Sequence, residues 1–183
     1  MAQLFSLGAY TLMLSLDANL LIADIASGDA ERQRKAEEVI SEIDHDTDVD
    51  ASVFVSSLAS KNDDVVFWSE IALEHLGDRG GAAIPCLLAL LQREPLFLRQ
   101  MAVKTLAAVG PKDAEARAAV FRSFADSSPF VRREALQACI GLPNLSADDL
   151  AAIAAMAADS DEAVASWSEI ALRNIRLNAQ ASA

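Results

Sequence analysis

The residues best placed to do chemistry in this chain are acids. Glu42, Asp44, Asp46, Asp48 and Asp50 crowd into the string SEIDHDTDVD. Carboxylates at alternate positions are the oxygen donors that a hard cation such as calcium takes. A calcium loop of the helix-loop-helix type also wants Gly at its sixth position and Glu at its twelfth. Counted from Asp44 those positions hold Val49 and Val55, and counted from Asp46 they hold Ala51 and Ser57. The stretch therefore reads first as a solvated acidic linker, next as an acidic surface for a basic partner, and last as a cation site. Other chemistry lacks its parts. His45 and His75 are the only histidines, no CxxC or HExxH occurs, and there is no G-x-S-x-G, Walker loop or G-x-G-x-x-G. Gly80-Gly81 reads as a turn. No metal, no cofactor and no catalysis are expected.

The elements that position these acids are set by composition and periodicity. The chain has 183 residues, 52% of them apolar, and a net charge of −12. Residues 1–64 hold 13 acids against 4 bases (−9), and residues 65–183 hold 14 against 11 (−3). Such a charge repels phosphate backbones, so nucleic acid is not the expected ligand and a basic protein is. Cys86 and Cys139 lie in apolar runs (PCLLALL and LQACIGL) and are expected as buried free thiols in a reducing, cytoplasmic compartment. The first 16 residues are uncharged, but Asp17 arrives before the roughly 20 apolar residues that a membrane span needs. They are expected to form a buried capping helix.

Four stretches superpose on a single alanine. NDDVVFWSEIALEHLG, EPLFLRQMAVKTLAAVG, SSPFVRREALQACIG and SDEAVASWSEIALRNI align on Ala72, Ala102, Ala135 and Ala171, at steps of 30, 33 and 36 residues. Trp68, Leu98, Val131 and Trp167 stand four before these alanines, which marks one buried helical face. A fifth copy centres on Ala36. Each of these helices follows another apolar-periodic segment: 50–60, 81–92, 112–126 and 146–159, with residues 16–27 before the Ala36 copy. Asp63, Asp113 and Ser146 are expected caps, Pro95 and Pro129 are expected at first helical positions, and Gly77, Gly110 and Gly141 are expected stops. A small residue is required where the second helices of successive units cross. The fold class read from this pattern is all-α, a right-handed α–α superhelix of about five helix pairs in one domain. Residues 1–28 would cap it, residues 29–178 would form the repeats, and residues 179–183 would be a disordered tail.

The run Asp126-Ser-Ser-Pro129-Phe-Val131-Arg132-Arg-Glu-Ala135-Leu136 resembles the second helix of a HEAT repeat, in particular the short variety of phycobilin-lyase-type proteins. The resemblance covers roughly residues 29–178. It implies a ladder in which an Asp and an Arg six residues later join neighbouring repeats. Asp126 and Arg132 match that spacing, whereas Asp63 is followed by Ser69, Arg93 by Arg99 and Glu162 by Ser168. Glu74-His75 is similar to the His-Glu pairs of iron-binding HEAT hydroxylases only in reversed order and only once. HEAT-like DNA glycosylases resemble this architecture and use aromatic residues such as Trp68 and Trp167 on their inner face, but they require a basic groove.

The positions two before and two after each alanine project together from the second helices: Glu70 and Glu74, Gln100 and Lys104, Arg133 and Gln137, Glu169 and Arg173. Arg99 and Arg132, three before the alanine, are read as joining them. This ridge, basic in its centre, is the candidate partner surface, together with Asp44, Asp46 and Asp48. The alternative is a solvated face with intramolecular pairs such as Glu169 with Arg173. Glu134 stands where other copies carry Ile71, Met101 and Ile170, and is expected to pair with Arg99 or Arg132 or to lie nearer the surface. A small acidic HEAT-like chain of this kind resembles immunity proteins that neutralise toxins. The resemblance also leaves open an accessory scaffold of the phycobilin-lyase type and, less favoured, a DNA-glycosylase-type enzyme.

Overall fold

In the computed structural model, which describes residues 11–12, 15–92 and 96–181, helices begin where a short polar side chain takes up otherwise unbonded amides. Asp17 caps α1 (Ala18–Ile25), Asp29 caps α2 (Ala30–Ser41), Asp50 caps α3 (Ala51–Ser57) and Asn62 caps α4 (Asp63–Leu76). After α5 (Ile84–Leu90) and α6 (Leu96–Val109), Asp113 caps α7 (Ala114–Arg122) and Ser128 caps α8 (Pro129–Cys139). Ser146 opens α9 (Ala147–Ala155) with a reciprocal capping box to Asp149, and Asp161 accepts from Ala163 and Val164 at the head of α10 (Glu162–Ala181). Asp113 and Ser146 cap as expected. Asp63 does not: it is the first residue of α4, and Asn62 one place earlier takes the role. Gly77 ends α4 at a φ of 57°, where a side chain would be strained. Pro95, expected at a first helical position, lies outside the described residues.

The helices form five antiparallel pairs, α1/α2 through α9/α10, stacked into an α–α solenoid. Short 3-10 segments continue the first helices of the last two pairs and precede α5. The second helices α4, α6, α8 and α10 pack on one another far more extensively than α3, α5, α7 and α9 do, so the array curves around the second helices. The small-residue column explains the close stacking: Ala36, Ala72, Ala102, Ala135 and Ala171 are all fully buried. Leu98 and Val131 are buried beside them, while Trp68 and Trp167 are half-buried and cover the edge of the same core. Gly80 is more than a turn residue: a Cβ there would stand 2.8 Å from the Val109 side chain.

Two expectations at the ends change. The described part of the N-terminal stretch is not helical before Ala18: Thr11–Leu12 pairs antiparallel with Ser15–Leu16, and Leu16 bridges to Val49. Its amide donates to the Asp48 carbonyl at 2.8 Å, which ties the chain start to the acidic loop. Residues 1–10 of the expected capping helix lie outside the described residues. At the other end α10 continues to Ala181, past the point where a tail was expected, and residues 182–183 lie outside the described residues. Among the described residues no helix is long and apolar enough to cross a membrane.

Candidate protein-binding surface

The acidic loop is built around a guanidinium. Arg79 Nη1 donates to the carbonyls of His45 (3.1 Å) and Thr47 (2.6 Å), and Nη2 donates to that of Val49 (3.3 Å). Three carbonyls at alternate residues thus converge on one cationic group. The two flanking carboxylates are used locally. Asp44 accepts from the Thr47 hydroxyl (2.8 Å) and the Asp46 amide, which hold its carboxyl below the usual range. Asp50 accepts from Ser52, with the same effect. Asp46 and Asp48 are exposed, with only the His45 ring 3.3 Å from Asp46. The predicted loop residues Asp44, Asp46 and Asp48 therefore share one surface, with the last two displayed.

Arg99 and Arg132 do not lie on the open ridge. Arg132 Nε and Nη2 donate to both oxygens of Asp159 (2.8 and 2.7 Å), and Nη1 donates to the Asp126 carbonyl (2.9 Å). Arg99 donates to both oxygens of Asp126 (3.2 and 3.4 Å). The side chains of Arg132 and Asp159 are 11% and 7% exposed. Arg132 holds the Asp159 carboxyl below the ordinary aspartate range. Each bond spans 27 residues, from a second helix to the interhelix turn of the next pair. This is the expected ladder between neighbouring repeats; Asp126 and Arg132 both take part, with Arg99 and Asp159 as their partners. Arg117 repeats the device on the first helices, donating to the carbonyls of Pro111 and Pro143 and to Asp149. At the arginine register Ser69 and Ser168 are fully buried and bond the carbonyls of Val65 and Ile153.

The remaining ridge residues divide. Glu70 is fully buried, because α4 packs against α2, α3 and α6 at once, so it is not part of an open surface. Glu74 and Lys104 form an ion pair of 2.9 Å between α4 and α6. Arg133 is half-buried with its guanidinium 5.6 Å from the Phe130 ring centroid. Arg173 and Glu169 are both exposed on α10, and the structure records no ion pair between them. Glu134 has neither expected partner, since Arg99 and Arg132 are taken by Asp126 and Asp159. It sits half-buried, and burial pushes its carboxyl up, with Glu74 adding to the rise and Lys104 and Arg133 opposing it.

Sequence reasoning missed the column five before each alanine: Phe67, Phe97, Phe130 and Ser166. Position −5 shares a helical stripe with −2 and +2, so these rings extend the ridge toward the heads of the second helices. Phe97 and Phe130 are 38% and 50% exposed, and the rings of Phe67 and Phe97 meet edge to face at 6.1 Å. The repetition of Phe in three successive copies was the available signal. A separate apolar groove of about 840 Å³ lies at the C-terminal end, between the segment Ile140–Leu145 and helices α9 and α10. Cys86 and Cys139 are free, and burial pushes the Cys139 thiol up to about 12.

No protein-family model matches the sequence, and no curated protein matches it. Solved structures do. A designed armadillo repeat protein in complex with the peptide (KR)4 superposes with a TM-score of 0.61 at 16% identity, covering 95% of this chain and 84% of that one. An engineered protein solved by the Northeast Structural Genomics Consortium, target OR329, gives 0.55 at 20% identity over 85% of this chain and 77% of that one. The archaeal HEAT-like repeats protein from Thermococcus onnurineus NA1 gives 0.50 at 16% identity, covering 85% and 69%. At these identities the likeness shows the fold alone: a HEAT-like and armadillo-like array of helix pairs.

Proposed function

We propose that the protein is a non-enzymatic scaffold that binds a basic protein through the open face of its second helices, in the manner of an immunity protein neutralising a toxin. The observation that carries this reading is the continuity of that face. Half-exposed aromatic rings, the Glu74–Lys104 pair, Arg133 and Arg173 follow one another across four stacked helices. An acidic loop displaying Asp46 and Asp48 stands at the N-terminal end of the same array. The net charge of −12 supports a basic protein over nucleic acid. The solved designed armadillo protein bound to (KR)4 supports it by showing that a solenoid of this architecture accepts a basic peptide.

The test is hydrogen exchange on the full chain with the partner captured by it. Protection is expected over residues 63–74, 96–108 and 129–137. Protection confined to the first helices or to the C-terminal apolar groove would move the interface elsewhere. The immunity role is tested by co-expression: a toxic partner should lose its toxicity when this chain is present at equal or greater level.

A further inference from the structure

Between α6 and α8 lies an open cavity of about 370 Å³, lined by Ala107, Ala108, Pro111, Gln137, Ala138 and Gly141 and bearing two charged groups, Lys104 and Glu134. A water occupies ~30 Å³, so the space holds a long side chain. Its two charges are not equivalent. Lys104 is turned to Glu74 on α4 at 2.9 Å. Glu134 is half-buried, and among the described residues no donor bonds its carboxylate. A half-desolvated carboxylate without a partner is costly, and a cation brought beside it offsets that cost. Alanine and proline walls suit the methylene stem of Lys or Arg, which lies along apolar surface while its head seeks an anion. Phe130 is exposed one turn from Glu134 toward the head of α8, and Phe97 is exposed two turns from Lys104 toward the head of α6.

We propose that this cavity receives a cationic side chain from an amphipathic helix of a basic protein partner, whose apolar side chains lie on Phe97 and Phe130. The proposal rests on the open second-helix face being the partner surface and says what that face recognises. A helix is favoured over an extended segment because it satisfies its own backbone amides and carbonyls. An extended chain would need polar side chains to bond it along the face. Of the ridge residues on these helices, Glu74 and Lys104 bond each other and Arg133 lies over Phe130, which leaves Gln100 and Gln137 to bond an extended chain at two points, too few for its backbone. A second copy of this chain is disfavoured by charge, since it too carries −12.

The probe is a 14-residue helical peptide of leucine and lysine with leucines on one face, compared by isothermal titration with a scrambled isomer of the same composition. The designed peptide should bind the full chain at neutral pH at least tenfold tighter than the isomer. Glu134→Gln should weaken it about tenfold, and the double variant Phe97→Ala/Phe130→Ala by at least as much, with the melting temperature of Glu134→Gln not reduced. Replacing one lysine at a time by neutral norleucine should find one lysine whose loss reproduces the Glu134→Gln effect and has no further effect in that variant. Equal affinity for the two peptides, or binding indifferent to Glu134→Gln, overturns the proposal. In the second case hydrogen exchange separates the readings: protection of the second helices leaves the partner surface standing without the cation subsite, and protection elsewhere removes both.

Discussion

Arg132 and Arg79 both reach across to a neighbouring helix pair, but they treat the acids around them in opposite ways. Arg132 takes both oxygens of Asp159, and Arg99 does the same one repeat earlier with Asp126. The carboxylates of those turns are consumed in holding the stack together. Arg79 instead takes three backbone carbonyls of the loop 45–49 and leaves Asp46 and Asp48 in water. One arrangement converts acids into stiffness; the other fixes a backbone so that acids can be displayed. Charge alone therefore does not say whether an acidic turn belongs to the fold or to a partner. What decides is which group, carboxylate or carbonyl, faces the guanidinium.

The largest expected effect is on the ladder. Arg132→Ala removes a bidentate partner from a nearly buried Asp159 and should cost ~3 kcal/mol, the low end for breaking a buried pair. The pH dependence follows from the lowered Asp159 carboxyl. Because the folded value lies below the ordinary 3.8, the pair stabilises fully above that value and loses its contribution as pH falls through the folded value. Melting curves of wild type and Arg132→Ala should thus be far apart at pH 7 and converge in strong acid. Equal melts at pH 7 would make the ladder an ornament of the turns and erase the contrast with Arg79.

That contrast was only half legible in the sequence. The alanine column predicted five stacked pairs because burial of a small residue at each crossing repeats with the helices that need it, and Ala36 through Ala171 are all fully buried. The ladder was read in part: Asp126 and Arg132 were identified as its members, but Arg99 and Asp159, which complete it, do not stand at the six-residue spacing. The bonds run from each arginine to the next copy, and the spacing of 27 residues from Arg99 to Asp126 recurs from Arg132 to Asp159. A local motif shows donor and acceptor types but not which repeat supplies each. Glu70 was read as exposed because periodicity describes one helix, whereas its burial is set by the neighbouring helices packed around α4. The role of Arg79 left no periodic trace at all, since carbonyls are present at every residue and only the fold selects three of them.

A middle-sized effect is expected at that arginine. Arg79→Ala removes three hydrogen bonds from an exposed guanidinium and should cost ~1 kcal/mol, because water replaces much of what is lost. Its sharper consequence is local: amide exchange over residues 44–50 should accelerate more than in the rest of the chain. Uniform acceleration would show that Arg79 secures the whole array, as Arg132 does, and that the two regions differ less than the geometry implies.

The smallest effect on stability, and the sharpest test of display, comes from Asp46→Asn with Asp48→Asn. Both side chains are exposed and hold no repeat in place, so the unfolding free energy should move by less than the ~0.5 kcal/mol typical of surface changes. Association should respond instead. Two charges are lost from a loop outside the packed face, where charge governs encounter more than lifetime. With a basic partner in a surface plasmon resonance experiment, the association rate should fall several-fold at low salt and its salt dependence should flatten, while the dissociation rate stays unchanged. Arg133→Ala, on the face itself, should do the reverse and chiefly quicken dissociation. If the Asp variant instead dissociated faster, the loop would be part of the contact and not its approach, and its carboxylates would be consumed by the partner as Asp159 is consumed by Arg132.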